Sequence, residues 1–202
     1  MRNVLLTGVG GQGTVLAAKV LAQAAQAKGW QVRTAETIGM AQRGGSVVSH
    51  VRMGDNGEEV IAPLVAKGTA DMIIAFEPAE AARVLPYLAP DGVMVSATTS
   101  IQPITAALST EPYLAEATIA SLDERLNECA AAPARFVLVD DEAVLSRMGN
   151  RKALNTVLLA LALKTGHLPL SLDDLRDAVR ACVKPRFVEL NLAAIDLVES
   201  KE

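Results

Sequence analysis

The sequence predicts an α/β protein, a Rossmann-like doubly wound sheet with a helical C-terminal part. Three observations predict it. A short apolar run stops at a glycine-rich stretch, Gly8-Val9-Gly10-Gly11-Gln12-Gly13, which opens a helical pattern. Apolar, β-branched runs then alternate with helical patterns as far as Val139, the order expected of strands joined by crossover helices. From Glu142 onward only helical periodicity remains. The expected organisation is a single domain over 1–202, with the sheet core over about 1–141 and the helical part over about 142–202; a chain of this length fits one hydrophobic core.

Each element has its own local reason. Asn3–Thr7 is a continuous apolar run ending at glycine, the mark of a buried strand. Gly13–Lys28 repeats Val15, Leu16, Val20, Leu21, Ala24 and Ala25 at helical spacing, and Gly29 closes it. Gln31–Thr34 predicts the second strand of a βαβ unit. Glu36–Gly45 is polar and glycine-dotted, hence a loop, and Ser46–Met53 alternates as a strand. Asp55-Asn56-Gly57 predicts a hairpin turn with Glu58–Ile61 returning. Asp71–Phe76 is a strand; Pro78 starts a helix to about Leu88; Asp91-Gly92 turns into the strand Val93–Ala97. Ser100–Tyr113 is irregular, about Leu114 to Cys129 is helical, and Arg135–Val139 is the last strand. The helices Glu142–Met148, Lys152–Lys164, Leu172–Cys182 and Pro185–Glu199 follow, the third opened by a capping box of Ser171 with Asp174.

Composition narrows the function. The net charge is −4 and aromatic residues make up 3%, which argues against nucleic acid as a partner, since phosphate tracking and base stacking need clustered cations and aromatic platforms. No apolar run is long enough for a leader or a bilayer span, so a cytoplasmic protein with no membrane partner is expected. Cys129 and Cys182 are isolated, His50 and His167 are remote from them, and no zinc or iron–sulfur spacing exists. The cysteines read as small apolar side chains. Asp140-Asp141-Glu142 reads as a helix cap before a magnesium site, and His50 as a structural residue on a strand face.

The candidate site is the glycine loop. Gly8, Gly10 and Gly13 fit the pattern G-x-G-x-x-G between a strand and a helix. The first glycine permits the tight turn, the second a close approach of backbone to phosphate, and the third close helix–strand packing. The amides and dipole at the helix start then favour an anion. Gly11 leaves the loop barer still, and Gln12 offers an amide to a phosphate, a carbonyl or a neighbouring loop. Arg43 offers a planar charged fork for a carboxylate or phosphate, with Gly44 and Gly45 allowing a sharp bend behind it. An acid for a ribose would stand near the end of the second strand, where Glu36 is only approximately placed. Ser96, Thr98, Thr99 and Ser100 follow a strand's carboxyl end, where α/β ligands gather.

Gly-Val-Gly-Gly-Gln-Gly at 8–13, with Gln42-Arg43-Gly44-Gly45-Ser46, resembles the gamma subunit or domain of the 2-oxoacid:ferredoxin oxidoreductases. The fuller stretch from Glu36 to Gly45, and Asn191 near the end, resemble most the small (beta) subunit of the indolepyruvate type. The resemblance covers almost the whole chain. It implies a partner subunit with no catalytic residue of its own, inactive alone. A large subunit would carry thiamine diphosphate, magnesium and the iron–sulfur clusters, oxidise aryl pyruvates to acyl-CoA and pass electrons to ferredoxin. The loop's preference for an anion, and not the resemblance, suggests a CoA contact through Gly8, Gly10, Gly11, Gln12, Gly13, Arg43, Gly44 and Gly45; that the chain only scaffolds the site stays open beside it. The isolated chain is compatible with a homodimer. Two other readings stay open from the residues: an independent NAD(P)-dependent dehydrogenase, and a non-catalytic nucleotide-binding or assembly module.

Overall fold

The computed structural model describes residues 1–39, 44–101, 113–127 and 135–200. It is an α/β fold with one six-stranded mixed sheet and helices after it, as the alternating pattern predicts. In chain order the strands are β1 (Arg2–Val9), β2 (Gln31–Ile38), β3 (Ser46–Gly54), β4 (Ala70–Ala75), β5 (Leu88–Ala97) and β6 (Phe136–Val139). The helices are α1 (Thr14–Ala27), α2 (Pro78–Val84), α3 (Ala115–Asn127), α4 (Asp141–Met148), α5 (Leu154–Lys164), α6 (Leu172–Cys182) and α7 (Pro185–Glu199). The spatial order is β2-β3-β1-β4-β5-β6. β1, β4, β5 and β6 run parallel, whereas β3 is antiparallel to both β1 and β2.

This order corrects three expectations. The unit β1–α1–β2 is a split one, because β3 lies between its two strands. No strand forms over Glu58–Ile61: β3 already has a neighbour on each edge. The chain instead folds directly over Gly54, where a Cβ would lie 2.1 Å from the Glu58 carbonyl oxygen. Side chains hold the segment there, the Glu58 carboxylate on the Met1 amine and the Gln31 amide oxygen on the Val60 N–H. Finally, β5 begins at Leu88. Pro86 ends α2 early in a 3-10 turn over Leu85–Tyr87, and a register irregularity between Ala70 and Met72 absorbs the Asp91-Gly92 step within the strand.

Alternation along the central strands builds two cores. Val4 and Leu6 of β1, Met72 and Ile74 of β4, and Val93 and Val95 of β5 face α1, α5, α6 and α7. Leu5, Ile73 and Met94 face α2 and α3. The period-2 pleat of strands covered on both sides requires this division. α1 thus packs on one face after β1 and α2 on the other after β4. The winding reverses between these neighbours, and the crevice above their carboxyl ends is where such sheets take ligands. The helical ends follow their sequence signals: Gly29 has φ +80° beyond α1, and Ser171 and Asp174 form both bonds of the capping box that opens α6. Among the described residues no helix is long and apolar enough to cross a membrane.

Candidate functional site

The loop between β1 and α1 divides into an inner and an outer half. The inner half is closed by Gln12. Its Oε1 accepts from the Val9 N–H at 2.7 Å, and its Nε2 donates to the Phe76 carbonyl at the end of β4 at 2.8 Å. The side chain lies directly beside Gly8, where a Cβ would come within 2.7 Å of Gln12 Oε1, 2.9 Å of Phe76 Cβ and 3.1 Å of Thr14 Oγ1. Gly10 donates its N–H to the Gly45 carbonyl at 2.9 Å, so the two glycine stretches do meet. Gly45 joins through β3, whose Ser46 is in register with Val9. The amides of Gln12 and Gly10 are therefore spent inside the fold.

The outer half is bare. Gly11 and Gly13 have φ of +106° and +85°, the left-handed region that side chains resist. α1 starts with no side-chain cap and no acid in its first turn, so the amides of Thr14, Val15 and Leu16 carry the free positive end of the helix. Gly44, with φ +77°, also faces open space. Arg43 lies outside the described residues, as do Met40, Gln42 and Cys129.

Gly11, Gln12 and Gly13, with Leu16 in the first turn of α1, form one wall of a cleft of about 450 Å³, a size that suits a small-molecule ligand. Thr99 and Ile101, beyond β5, form a second wall. The remaining residues come from the C-terminal helices: Lys152, Leu154 and Asn155 at the start of α5, Val183 between α6 and α7, and Phe187, Leu190 and Asn191 on α7. The cleft is polar at the loop and apolar opposite. Lys152 Nζ sits 5.5 Å and the Arg186 guanidinium carbon 4.7 Å from the Phe187 ring centroid, a cationic rim around an aromatic wall.

The other sequence candidates have structural duties. One Asp141 oxygen accepts from the Thr98 N–H, the Thr98 hydroxyl and the Thr99 N–H at 2.9–3.0 Å, which fixes the end of β5 beside the cleft. Asp140 caps α4 through the Ala143 N–H at 2.9 Å. His50 is buried, accepts from the Val65 N–H at 3.2 Å and meets Tyr87 edge-on; burial lowers its pKa. His167 follows α5 near the Thr165 carbonyl. Cys182 is half-buried against the larger core. Among the described residues no three His, Cys, Asp or Glu side chains converge as a metal would require. Glu36 is exposed within β2, opposite Ser49 and two strands from the loop's own strand. It cannot serve as the ribose acid of a dinucleotide on this loop, and the loop predicted from Glu36 starts only after Ile38.

Sequence reasoning missed a buried acid pair and most of the cleft. Glu77, two residues after β4, caps α2, accepting from the Glu80 N–H and the Tyr113 hydroxyl, each at 3.0 Å. Burial raises its carboxyl, and burial together with the Glu77 charge raises the Tyr113 hydroxyl. Glu80 accepts from the Ser46 hydroxyl at 2.5 Å, tying β3 to α2. Asn155 and Phe187 carry no motif; their role arises only when α5 and α7 fold back to the loop.

The family model described as pyruvate ferredoxin/flavodoxin oxidoreductase matches residues 3–198. The indolepyruvate oxidoreductase subunit IorB of Archaeoglobus fulgidus is 36% identical, covering 96% of this chain and 92% of the relative. The subunit of the same name from Pyrococcus horikoshii is also 36% identical, covering 96% and 93%. Among solved structures, 2-oxoglutarate:ferredoxin oxidoreductase from Magnetococcus marinus, with 2-oxoglutarate, coenzyme A and succinyl-CoA bound, matches all of this chain over 31% of its own length. It does so at a TM-score of 0.66 and 16% identity, a likeness of fold alone.

Proposed function

We infer the function of this chain from one premise: it belongs to the pyruvate ferredoxin/flavodoxin oxidoreductase family. Within that family it is the small subunit of an indolepyruvate:ferredoxin oxidoreductase. The observation that carries this reading is the 36% identity to two small subunits so named, spread over nearly the full length of both proteins.

The complex converts an aryl pyruvate and CoA to an acyl-CoA and carbon dioxide while reducing ferredoxin. A large partner subunit would hold thiamine diphosphate, magnesium and the iron–sulfur clusters; there the 2-oxoacid would lose carbon dioxide and give two electrons to the clusters, leaving the acyl group for transfer to CoA. Among the described residues no group of three His, Cys, Asp or Glu could hold a metal, and we assign this chain no acid or base in that chemistry. Its residues fit the phosphate end of CoA instead. The bare amides at the start of α1, the side-chain-free Gly11 and Gly13, and the Lys152 ammonium all favour an anion. The apolar wall of Phe187 and Leu190 suits the non-ionic part of such a ligand. Gly45 meets the loop through the Gly10 N–H, and Arg43, two residues earlier in the sequence, is proposed as a further anion contact. Holding CoA by its remote phosphates leaves the thiol free to reach the partner subunit.

The test is reconstitution. The purified chain alone is expected to reduce no viologen dye with indolepyruvate and CoA, and co-expression with the thiamine-binding subunit is expected to give reduction that needs both substrates. Full activity of the large subunit in the absence of this chain would overturn the assignment.

A further inference from the structure

One side chain in the cleft has a hydrogen-bond donor to spare. Asn155 is 6% exposed, and its Oδ1 accepts from the Thr156 N–H at 2.9 Å. Its Nδ2 makes no hydrogen bond among the described residues, borders the cleft, and lies 3.3 Å from where a Cβ on Gly13 would stand. The residue is buried while this nitrogen is left open, without a protein partner among the described residues, and it is held against the free positive end of a 14-residue helix.

We propose that Asn155 Nδ2 is the side-chain donor of a phosphate subsite that the opening amides of α1 complete, and that the cleft binds a phosphate ester whose apolar or aromatic body lies on Phe187 and Leu190. The charge of the ligand faces the helix dipole and Lys152, and the neutral amide adds direction without a competing counter-charge. The wall is coupled to the donor. Thr156, next to Asn155, donates its hydroxyl to Asn191 Oδ1, and Asn191 Nδ2 donates to the Phe187 carbonyl at 2.6 Å. The helix that presents the donor thereby also sets the aromatic wall. This inference rests on the phosphate reading of the loop and adds to it a discriminating residue from the C-terminal helices. It selects ligands by phosphate, not by the pantetheine arm.

Calorimetric titration of the full chain with CoA, ADP, inorganic phosphate and phosphate-free pantetheine tests it. Wild type is expected to bind CoA and ADP at least tenfold tighter than pantetheine. Asn155→Leu is expected to weaken CoA and ADP about tenfold or more, the scale of a hydrogen bond to a charged group. Asn155→Asp should weaken them further by repulsion, with pantetheine unaffected in both. Unchanged affinity for CoA and ADP in a folded Asn155→Leu overturns the proposal and leaves the loop's phosphate role standing. Failure of wild type to bind CoA, ADP or phosphate overturns both. If the variants do not fold, the assigned side-chain amide resonance of Asn155 in wild type decides: it must shift on adding ADP, and a resonance that stays in place overturns the proposal.

Discussion

The two halves of the glycine loop use the same residue type for opposite ends. Gly8 is glycine because Gln12, Phe76 and Thr14 crowd the place its side chain would take, and Gln12 staples β1 to β4 across it. Gly11 and Gly13 are glycine because their backbone sits at positive φ; a Cβ on Gly11 would meet nothing within 4 Å, and one on Gly13 would have the Asn155 side chain as its nearest neighbour. Packing fixes the inner half, and the outer half is left bare toward a cleft. A G-x-G-x-x-G pattern therefore states where backbone must come close, but not whether the neighbour is the protein's own core or a ligand.

The contrast predicts a difference in stability. Gly8→Ala should lose about 2–3 kcal/mol through overpacking against Gln12, Phe76 and Thr14. Gly11→Ala, which meets only backbone strain, should lose about 1 kcal/mol. Urea unfolding of the two variants measures both, and equal losses would erase the distinction between the halves.

A smaller effect is expected beside the inner half at Glu77, the residue after Phe76. Burial raises its carboxyl pKa, so the native chain holds this proton more tightly than the unfolded chain. Its contribution to stability is fully present below the ordinary glutamate value and is lost as pH rises through the raised native value. Glu77→Gln keeps an acceptor for the Glu80 N–H and offers an amide to the Tyr113 oxygen, and should flatten that decline. Melting temperatures from pH 4 to 8 test this, and a variant with the wild-type slope would show that Glu77 is not its source.

Much of the fold was legible because its signals are local. The ends of α1 and α6 follow from glycines and a capping box that act over a few residues. What failed depends on distant partners. Asp55-Asn56-Gly57 has hairpin chemistry, yet β3 was already paired on both edges by β1 and β2. Glu36 stands at a plausible distance along the chain but two strands away in space, because β3 intervenes. Gly8 to Gly13 were identified from the motif alone. Asn155 was not, since an asparagine within an apolar helical run has no meaning until that helix folds back to the loop. The family resemblance reached the function faster than the physics of the residues did, whereas the division of labour within the loop came only from geometry.

On the proposed reading the outer half of the loop, with the C-terminal helices, holds the phosphate-bearing substrate. Leu16→Glu tests it most directly. Leu16 borders the cleft, is 37% exposed and lies in the first turn of α1, where an acid favours the helix; the fold should stand while an anion in the cleft is repelled. In the reconstituted complex the account predicts a KM for CoA raised at least tenfold, with the KM for indolepyruvate and the kcat at saturating CoA within about twofold of wild type, since only binding common to ground and transition states is lost. An unchanged KM for CoA in a folded, assembled variant would contradict it.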